Sequence, residues 1–240
     1  HSPEGRVSGV MLGLLPWIQI LALAMLPLPG SAMSDNCFDS YWGHMPNFKQ
    51  CDPRWKCFPY AGAMGLSTCN TTACREGGPP NQSNNICGSG CGITSSAMLL
   101  TFFNRSMSPP DVASYFLAQG YRNDLANISG ATCNGVTHEA ICNAADHWGL
   151  SCSQSSSFDD LDTWLPDGPV IAHVRHHSAP TEFSCKFTRA GHYIVITEKD
   201  AASGQYRISD PNSCDEAQAH GSRTELSSEC DLVGFIRIFP

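Results

Sequence analysis

A glycine-rich turn, one cysteine and a long apolar run constrain the fold of this chain more than any other stretch. The turn is Gly88-Ser89-Gly90, the cysteine is Cys91, and the apolar run extends from Ile93 to Phe103 without a proline. Because apolar residues fill most positions of the run, we expect a helix that is buried on nearly all sides. The glycines permit positive φ angles and leave room for a substrate or another backbone segment. The stretch therefore places Cys91 at the first turn of a core helix.

This predicted position of Cys91 favours a reactive thiol. Unpaired N–H groups and the positive end of the helix dipole stabilise a negative charge at a helix N-terminus. Both effects lower the pKa of a cysteine and increase the fraction of nucleophilic thiolate. A buried structural cysteine, or one half of a disulfide, is the alternative interpretation of the same stretch.

The cysteine content indicates an oxidising compartment. The chain has thirteen cysteines in 240 residues, so twelve can pair and one thiol is left over. We expect Cys91 to be that free thiol and Cys87 to close a neighbouring loop, while a Cys87–Cys91 bridge would silence the nucleophile. The formal net charge of −8 gives no indication of a nucleic-acid-binding surface.

Residues 1–33 are predicted to be a signal peptide or leader region. The segment from Val10 to Pro29 is mostly apolar, and small residues follow it at Gly30-Ser31-Ala32. A retained membrane anchor is the alternative, although the prolines of the segment make it a poor spanning helix. Residues 34–240 are then predicted to form a single catalytic domain, which is secreted or endolysosomal and contacts a membrane only if the apolar segment is retained.

Residues 57–87 are predicted to be a cysteine-rich insertion in that domain. Because its four cysteines are irregularly spaced and the compartment is oxidising, a disulfide-stapled loop is favoured over a zinc site. Four Asn-X-Ser/Thr sequons agree with a secretory route. They begin at Asn70, Asn81, Asn104 and Asn127.

Helix signals come first along the domain and strand signals follow. Beyond the Cys91 helix, Ser108 and the prolines after it begin a helix that stops at Gly120, residues 137–148 form another that stops at Gly149, and Ser157 caps a short third one. Strands are predicted at residues 169–174, 192–197, 205–210 and 232–238. This order predicts an α+β fold in which N-terminal helices pack on an antiparallel sheet.

His192 and Asp210 are candidate partners of the thiol because a hairpin brings their strands together. The polar turn at residues 199–204 joins the strands, and a hairpin centred on residue 201 places His192 opposite or nearly opposite Asp210. Cross-strand neighbours have Cβ atoms about 5 Å apart. A carboxylate there fixes the imidazole tautomer and leaves the other ring nitrogen to accept a thiol proton. A surface His–Asp pair is the alternative.

Acyl transfer also requires hydrogen-bond donors for the oxyanion. The backbone N–H of Cys91 is one candidate and the side-chain amide of Gln50 is another, although Gln50 could equally be an exposed loop residue. The loop at residues 176–190 precedes His192 and is expected to line the substrate cleft. The histidines at positions 173, 176 and 177 are interpreted as belonging to a strand end and a solvated loop rather than to a metal site.

Four motifs in this order resemble the bacteriocin-leader-peptidase-like branch of the papain-like cysteine peptidases, the C39-like peptidases. They are QCDPRW from Gln50, GCGITSSAM from Gly90, GHYIVI from Gly191 and DPNS from Asp210. The resemblance covers roughly residues 48–238 and implies a papain-like fold. It implies Cys91 as the nucleophile and His192 as the general base and acid. It also implies Asp210 as the orienting partner of His192 and Gln50 as part of the oxyanion hole.

These features predict a secreted cysteine hydrolase, a peptidase that cleaves amide bonds of a peptide or protein through a Cys-His-Asp triad. Such chemistry requires neither a metal ion nor an organic cofactor. One alternative is an acyltransferase or amidase that uses the same triad. Another is a catalytically silent secreted binding module.

Overall fold

A computed structural model of the chain describes residues 37–60, 85–121, 135–176 and 185–240. The predicted signal segment, most of the predicted insertion, His177 and the sequons at Asn70, Asn81 and Asn127 lie outside these ranges. Within them, no helix is both long enough and apolar enough to span a membrane.

Helices dominate the first half of the described chain and strands the second. The helices are α1 (Ile86–Ser89), α2 (Cys91–Phe102), α3 (Pro109–Ala118), α4 (His138–His147) and α5 (Phe158–Trp164). The strands are β1 (Tyr41–Trp42), β2 (Met45–Pro46), β3 (Ser151–Ser155), β4 (Val170–His176), β5 (Gly191–Lys199), β6 (Tyr206–Ser209), β7 (His220–Gly221) and β8 (Cys230–Phe239). Strands β1 and β2 pair with each other, and the others form an antiparallel sheet in the order β3-β8-β4-β5-β6-β7. The predicted α+β layout is confirmed.

This larger sheet separates two hydrophobic cores. Ile171, Tyr193 and Val195 face the core that contains α2, α3 and α4. Residues of the opposite face, such as Ile194 and Ile196, pack with the short helix α5. The alternation follows from the strand period of two, which sends successive side chains to opposite faces. The candidate site lies on the α2 side.

Helix α2 is buried as its sequence predicts, since every residue from Cys91 to Leu100 is buried. Of the two reasons expected for its flanking glycines, close approach of neighbouring atoms applies and a positive φ does not. Gly90 has a φ of −91°, so no positive φ is required there. Instead, a Cβ at Gly90 would lie 2.4 Å from the Ile86 carbonyl oxygen, and a Cβ at Gly92 would lie 2.5 Å from Cγ2 of Val136. Close packing therefore accounts for both glycines.

The other helix boundaries follow local capping chemistry. The Asp111 carboxylate accepts a hydrogen bond from the Ser108 N–H at 2.9 Å, which closes the start of α3. Gly120 and Gly149 adopt left-handed conformations, with φ of +75° and +71°, just after α3 and α4. The predicted ends of both helices are confirmed.

Edge strand β3 was not predicted from the sequence. Its residues Ser151–Ser155 are mostly polar and lack the apolar alternation typical of a strand. It forms because β8 offers an unpaired edge, with Ser151 opposite Phe239, and because Cys152 is bonded to Cys142 of α4. Long-range pairing therefore outweighs the weak local signal.

Disulfides tie the described segments together. The pairs are Cys37–Cys214, Cys51–Cys87, Cys142–Cys152 and Cys185–Cys230. Backbone pairing also joins the described residues on the two sides of residues 61–84: Pro59 and Asn85 form a β-bridge, and the Cys87 N–H donates to the Lys56 carbonyl at 3.2 Å. Pro59 and Asn85 therefore lie next to each other, just before α1.

Candidate active site

Cys91 has the only free thiol among the described cysteines, and it is buried at the first residue of α2. Cys87 is bonded to Cys51, so it does not form the alternative bridge to Cys91. The prediction that Cys91 is the unpaired cysteine holds for the described residues. Its partner in space is the imidazole of His192, which forms a hydrogen bond with the thiol.

His192 lies near the start of β5 and links the thiol to a carboxylate. Its Nε2 is 2.7 Å from Oδ1 of Asp210, and both side chains are buried. Because Nε2 is engaged by Asp210, Nδ1 is the ring nitrogen left for the thiol of Cys91. The three side chains thus form one continuous hydrogen-bonded series.

The hairpin register differs from the prediction, although the contact between His192 and Asp210 is present. Val195 pairs with Ser209 on β6, and the register shifts by one residue between Ile196 and Glu198. Asp210, just after β6, is therefore placed diagonally from His192 rather than directly opposite. The diagonal neighbour on the same face is still within reach of a long side chain.

Asp210 is held by contacts on both its side chain and its backbone. Its Oδ1 also accepts the N–H of Asn212 at 2.7 Å, and its carbonyl accepts a hydrogen bond from Nζ of Lys49 at 2.6 Å. Burial opposes ionisation, but the charge and hydrogen bond of His192, together with Asn212 and Lys49, lower the pKa of Asp210. The carboxylate therefore remains charged beside the imidazole.

The pKa values of Cys91 and His192 shift in opposite directions. Burial of Cys91 opposes thiolate formation, but the hydrogen bond and charge of His192 and the N–H groups of Tyr193 and Gly92 outweigh it, and the pKa of Cys91 is lowered. Burial of His192 opposes protonation, but Asp210 and then Cys91 outweigh it, and the pKa of His192 is raised. Both shifts favour a thiolate–imidazolium pair.

Gln50 lies beside this series and is buried rather than exposed. Its Nε2 donates to the Cys87 carbonyl at 2.5 Å, and its backbone N–H donates to the carbonyl of Pro211 at 2.7 Å. One amide hydrogen is thus occupied and fixes the side chain, while the amide carries a second N–H. The adjacent Cys51–Cys87 bridge attaches this loop to α1, which precedes Cys91.

A cavity of about 640 Å³ opens over these residues. This volume is in the range of sites that hold small molecules or several peptide side chains. Residues from the loop before β5 form part of its wall, as predicted for the described part of residues 176–190. The lining comprises Gln50, Cys87, Gly88, Ser89, Cys91, Gly135, Val136, His173, Arg175, Phe187, Thr188, Arg189, Ala190, Gly191, His192, Tyr193 and Asn212.

Comparison with protein families assigns the chain. The sequence profile described as the Peptidase_C39 like family matches residues 78–227. The chain belongs to this family. The matched range of the C39-like family includes Cys91, His192 and Asp210, whereas Gln50 precedes it. Family membership indicates a peptidase-type function and a peptide or protein substrate, and the fold is α+β and papain-like.

Two solved structures of C39 peptidase domains are similar to this C39-like chain. One is the peptidase domain of Streptococcus ComA, a bifunctional ABC transporter involved in a quorum-sensing pathway, with 22% identity over 62% of this chain and 90% of that chain and a TM-score of 0.39. The other is a putative C39-like peptidase from Bacillus anthracis, with 18% identity over 63% and 88% and a TM-score of 0.45. A comparison with curated protein sequences finds no match.

Lys49 is a residue of the site that sequence reasoning missed. Its ammonium group is buried and also donates to Oδ1 of Asn47 at 2.9 Å, and the same oxygen accepts a hydrogen bond from the Ser209 hydroxyl. This network supports the backbone on both sides of Asp210. Its only sequence signal is the position of Lys49 next to Gln50, since a buried lysine cannot be distinguished from an exposed one by its type.

His173, which was expected at a strand end or in a solvated loop, is instead half-buried next to the site and pairs with His138. Nδ1 of His173 is 2.8 Å from Nε2 of His138, and the His173 ring stacks on Tyr193 at 4.2 Å between centroids. Burial, the charges of His138 and Arg175, and that of His192 lower the pKa of His173 to about 3, so its ring is neutral. Among the described residues, no group of three or more His, Cys, Asp or Glu side chains is placed to hold a metal ion.

Proposed function

We propose that this chain is a secreted cysteine peptidase in which Cys91 attacks the scissile amide. The observation that carries the proposal is the hydrogen-bonded series from Cys91 through His192 to Asp210, which lies at a cavity and contains a free thiol. A nucleophile, a base and an orienting carboxylate in this arrangement meet the geometric requirement for nucleophilic catalysis of acyl transfer.

In the acylation step, the Cys91 thiolate attacks the carbonyl carbon and forms a carbon–sulfur bond. The carbonyl oxygen becomes an oxyanion, for which the backbone N–H of Cys91 and the second amide N–H of Gln50 are the proposed donors. The carbon–nitrogen bond then breaks, and the imidazolium of His192 gives its Nδ1 proton to the leaving amine. Asp210 keeps the ring in the required orientation throughout.

In the deacylation step, water attacks the thioester while neutral His192 accepts one of its protons at Nδ1. A second oxyanion forms in the same position, and the carbon–sulfur bond breaks to release the acid product. The sulfur leaves as the thiolate, and the proton on His192 restores the starting ion pair. No net oxidation occurs in either step, and neither step requires a metal ion.

The secretory location of the proposal is supported by the four described disulfides, which persist in oxidising compartments. Asn104 provides a second test, because its sequon lies at an exposed position just after α2. We expect the protein from a eukaryotic secretory host to carry a glycan at Asn104, and peptide mass spectrometry before and after deglycosylation measures it.

The activity is tested by incubating the full chain with a diverse peptide pool and identifying new termini by mass spectrometry. We expect turnover that Cys91→Ala and His192→Ala abolish while circular dichroism shows that both variants remain folded. Undiminished turnover in either variant would contradict the mechanism. An added amine acceptor that appears in the product would identify an acyltransferase, and a folded protein with no turnover and no reactive Cys91 would identify a binding module.

A further inference from the structure

Two arginines line the cavity over Cys91 in a protein whose net charge is −8. They are Arg175 at the end of β4 and Arg189 in the loop before β5, and both are exposed. The described lining contains no aspartate or glutamate to balance them. The described lining thus carries positive charge, opposite in sign to the net charge of the whole chain.

The backbone places Arg175 next to the reacting groups. Arg175 pairs with Gly191 across β4 and β5, one residue before His192. Because Gly191 has no side chain, the stem of Arg175 lies over it, and a Cβ at Gly191 would be 3.9 Å from Cγ of Arg175. Arg175 therefore forms part of the cavity wall, where its charge acts on His173 and Tyr193.

Arg189 is held close to the same wall by its loop. The carbonyl of Ala190 accepts the His176 N–H at 2.6 Å, which joins this loop to the end of β4 next to Arg175. The Ala190 N–H in turn donates to the Thr188 hydroxyl at 3.0 Å. These bonds fix the backbone on the C-terminal side of Arg189 and leave its long side chain in the cavity wall.

Among the described residues, neither of these two guanidinium groups has an ion-pair partner. Elsewhere in the described ranges, arginines contact carboxylates or backbone carbonyls: Arg54 contacts Asp52, Arg105 the Trp148 carbonyl, Arg207 Glu198, Arg223 Asp159 and Arg237 Asp167. Within these ranges, Arg175 and Arg189 form no such ion pair, although Asp231 is the cross-strand partner of Arg175.

We propose that Arg175 and Arg189 bind a carboxylate of the peptide substrate close to the scissile bond, an inference that rests on the proposed peptidase function. A guanidinium is suited to this because its planar donors match a carboxylate in a bidentate geometry. The apolar side chains of Val136, Phe187 and Tyr193 line the same cavity and provide surface for the rest of the peptide. The carboxylate comes either from an acidic side chain or from the C-terminus of the peptide.

Matched peptides test this preference. From a peptide that the full chain cleaves, one partner replaces Glu or Asp with Gln or Asn, and another replaces the terminal carboxylate with a carboxamide. We expect kcat/KM to be about tenfold higher for the carboxylate member of one pair, since hydrogen bonds between charged groups are the stronger kind. The pair that responds identifies the source of the carboxylate.

The variant Arg175→Gln/Arg189→Gln supplies the second comparison. In this variant we expect the kcat/KM ratio of the carboxylate peptide to its neutral partner to fall toward one. The control Arg223→Gln removes the same type of charge outside the lining and should keep the full ratio. If the wild type shows less than a twofold preference in every pair, the inference is overturned, although Cys91-dependent turnover leaves the proposed function standing.

Alkylation of Cys91 provides a readout that does not require a substrate. Iodoacetate and iodoacetamide are nearly the same size and differ in charge, and each forms a thioether with release of iodide. The measured quantity is the rate of alkylation of Cys91 by iodoacetate divided by the rate with iodoacetamide. We expect this ratio to fall about tenfold in the double arginine variant and to remain unchanged in Arg223→Gln. His192 is present in all of these proteins, so its own attraction for iodoacetate affects every ratio equally and does not change the comparison between wild type and variants.

The two readouts separate the two hypotheses. If no peptide is cleaved in a Cys91-dependent way, the proposed function fails, and the alkylation ratio alone decides whether the arginines attract a carboxylate. An alkylation ratio that is equal in the wild type and the double variant overturns the carboxylate site in either case.

Discussion

The disulfide between Cys51 and Cys87 joins the two segments that carry the proposed oxyanion donors. Cys51 follows Gln50 directly, and Cys87 lies in the short helix α1, which precedes Cys91. The Cys87 carbonyl also accepts a hydrogen bond from the Gln50 amide. One covalent bond and one hydrogen bond therefore fix the distance between Gln50 and α2.

Removal of this bridge is expected to impair catalysis as well as stability. The variant Cys51→Ser/Cys87→Ser should lower kcat by about tenfold or more, because a misplaced oxyanion donor loses most of its effect. The free energy of unfolding should fall by about 2–4 kcal/mol. Steady-state kinetics at a temperature where the variant is folded measures the first effect, and urea unfolding measures the second.

Cys142→Ser/Cys152→Ser is the matched control. It removes a bridge between α4 and the edge strand β3, whose cysteines do not line the cavity. We expect a loss of stability with kcat close to that of the wild type. Equal losses of kcat in the two double variants would mean that the Cys51–Cys87 bridge has no special role in the site.

Gln50 is predicted to contribute to kcat as an oxyanion donor. Gln50→Ala should lower kcat by about 10²-fold, the effect expected from loss of an oxyanion donor, with a smaller change in KM. Gln154→Ala is a suitable control, because Gln154 is an exposed amide on β3. A kcat that does not change in Gln50→Ala would remove Gln50 from the site.

The opposite pKa shifts of Cys91 and His192 predict a broad bell-shaped pH profile. As the pH rises, kcat/KM should increase where the thiol loses its proton, and the lowered pKa of Cys91 moves this limb toward acid. At higher pH, kcat/KM should decrease where the imidazolium loses its proton, and the raised pKa of His192 moves this limb toward alkali. Because the two groups interact strongly, the limbs report the pair.

Asp210→Asn should narrow this profile from the alkaline side. Asp210 raises the pKa of His192, so without its charge the imidazolium loses its proton at a lower pH. Profiles of kcat/KM for the wild type, Asp210→Asn and Asp159→Asn check this, since Asp159 is an exposed carboxylate on α5. If the alkaline limb of Asp210→Asn stays at the wild-type pH, Asp210 does not raise the pKa of His192.

Gly92 is predicted to be intolerant of a side chain. In Gly92→Ala the new Cβ would lie 2.5 Å from Val136 and 3.3 Å from Tyr193, so the cavity wall or α2 must move. Such overpacking costs about 1–3 kcal/mol of stability. Gly191→Ala is the control, because its nearest contacts are 3.7 Å and 3.9 Å, and thermal unfolding of the two variants should differ clearly.

Features with a local physical cause could be predicted from the sequence. The burial of α2 follows from its composition, the ends of α3 and α4 follow from glycines with positive φ, and the approach of His192 to Asp210 follows from one hairpin. In each case the sequence signal and the feature that it predicts lie in one segment of about twenty residues, so the feature depends little on contacts with distant parts of the chain.

Features that depend on distant segments could not be predicted in this way. The pairing of Cys51 with Cys87, the burial of Lys49 under Asp210 and the meeting of Arg175 with the loop of Arg189 all require the folded chain. The exact register of the hairpin was not predicted either: Val195 lies opposite Ser209, so His192 and Asp210 are diagonal neighbours rather than directly opposite. Connectivity among many cysteines is likewise open until the fold is known.

The Cys37–Cys214 bridge closes a covalent ring that contains Gln50, Cys91, His192 and Asp210. A single backbone cut anywhere inside this ring would leave both pieces attached to each other. Clipping of the protein by another protease would therefore be invisible on a non-reducing gel and would appear as two bands only after reduction. A nicked form would also keep all four of these residues in one molecule. The two pieces would separate only after the Cys37–Cys214 bridge is reduced as well.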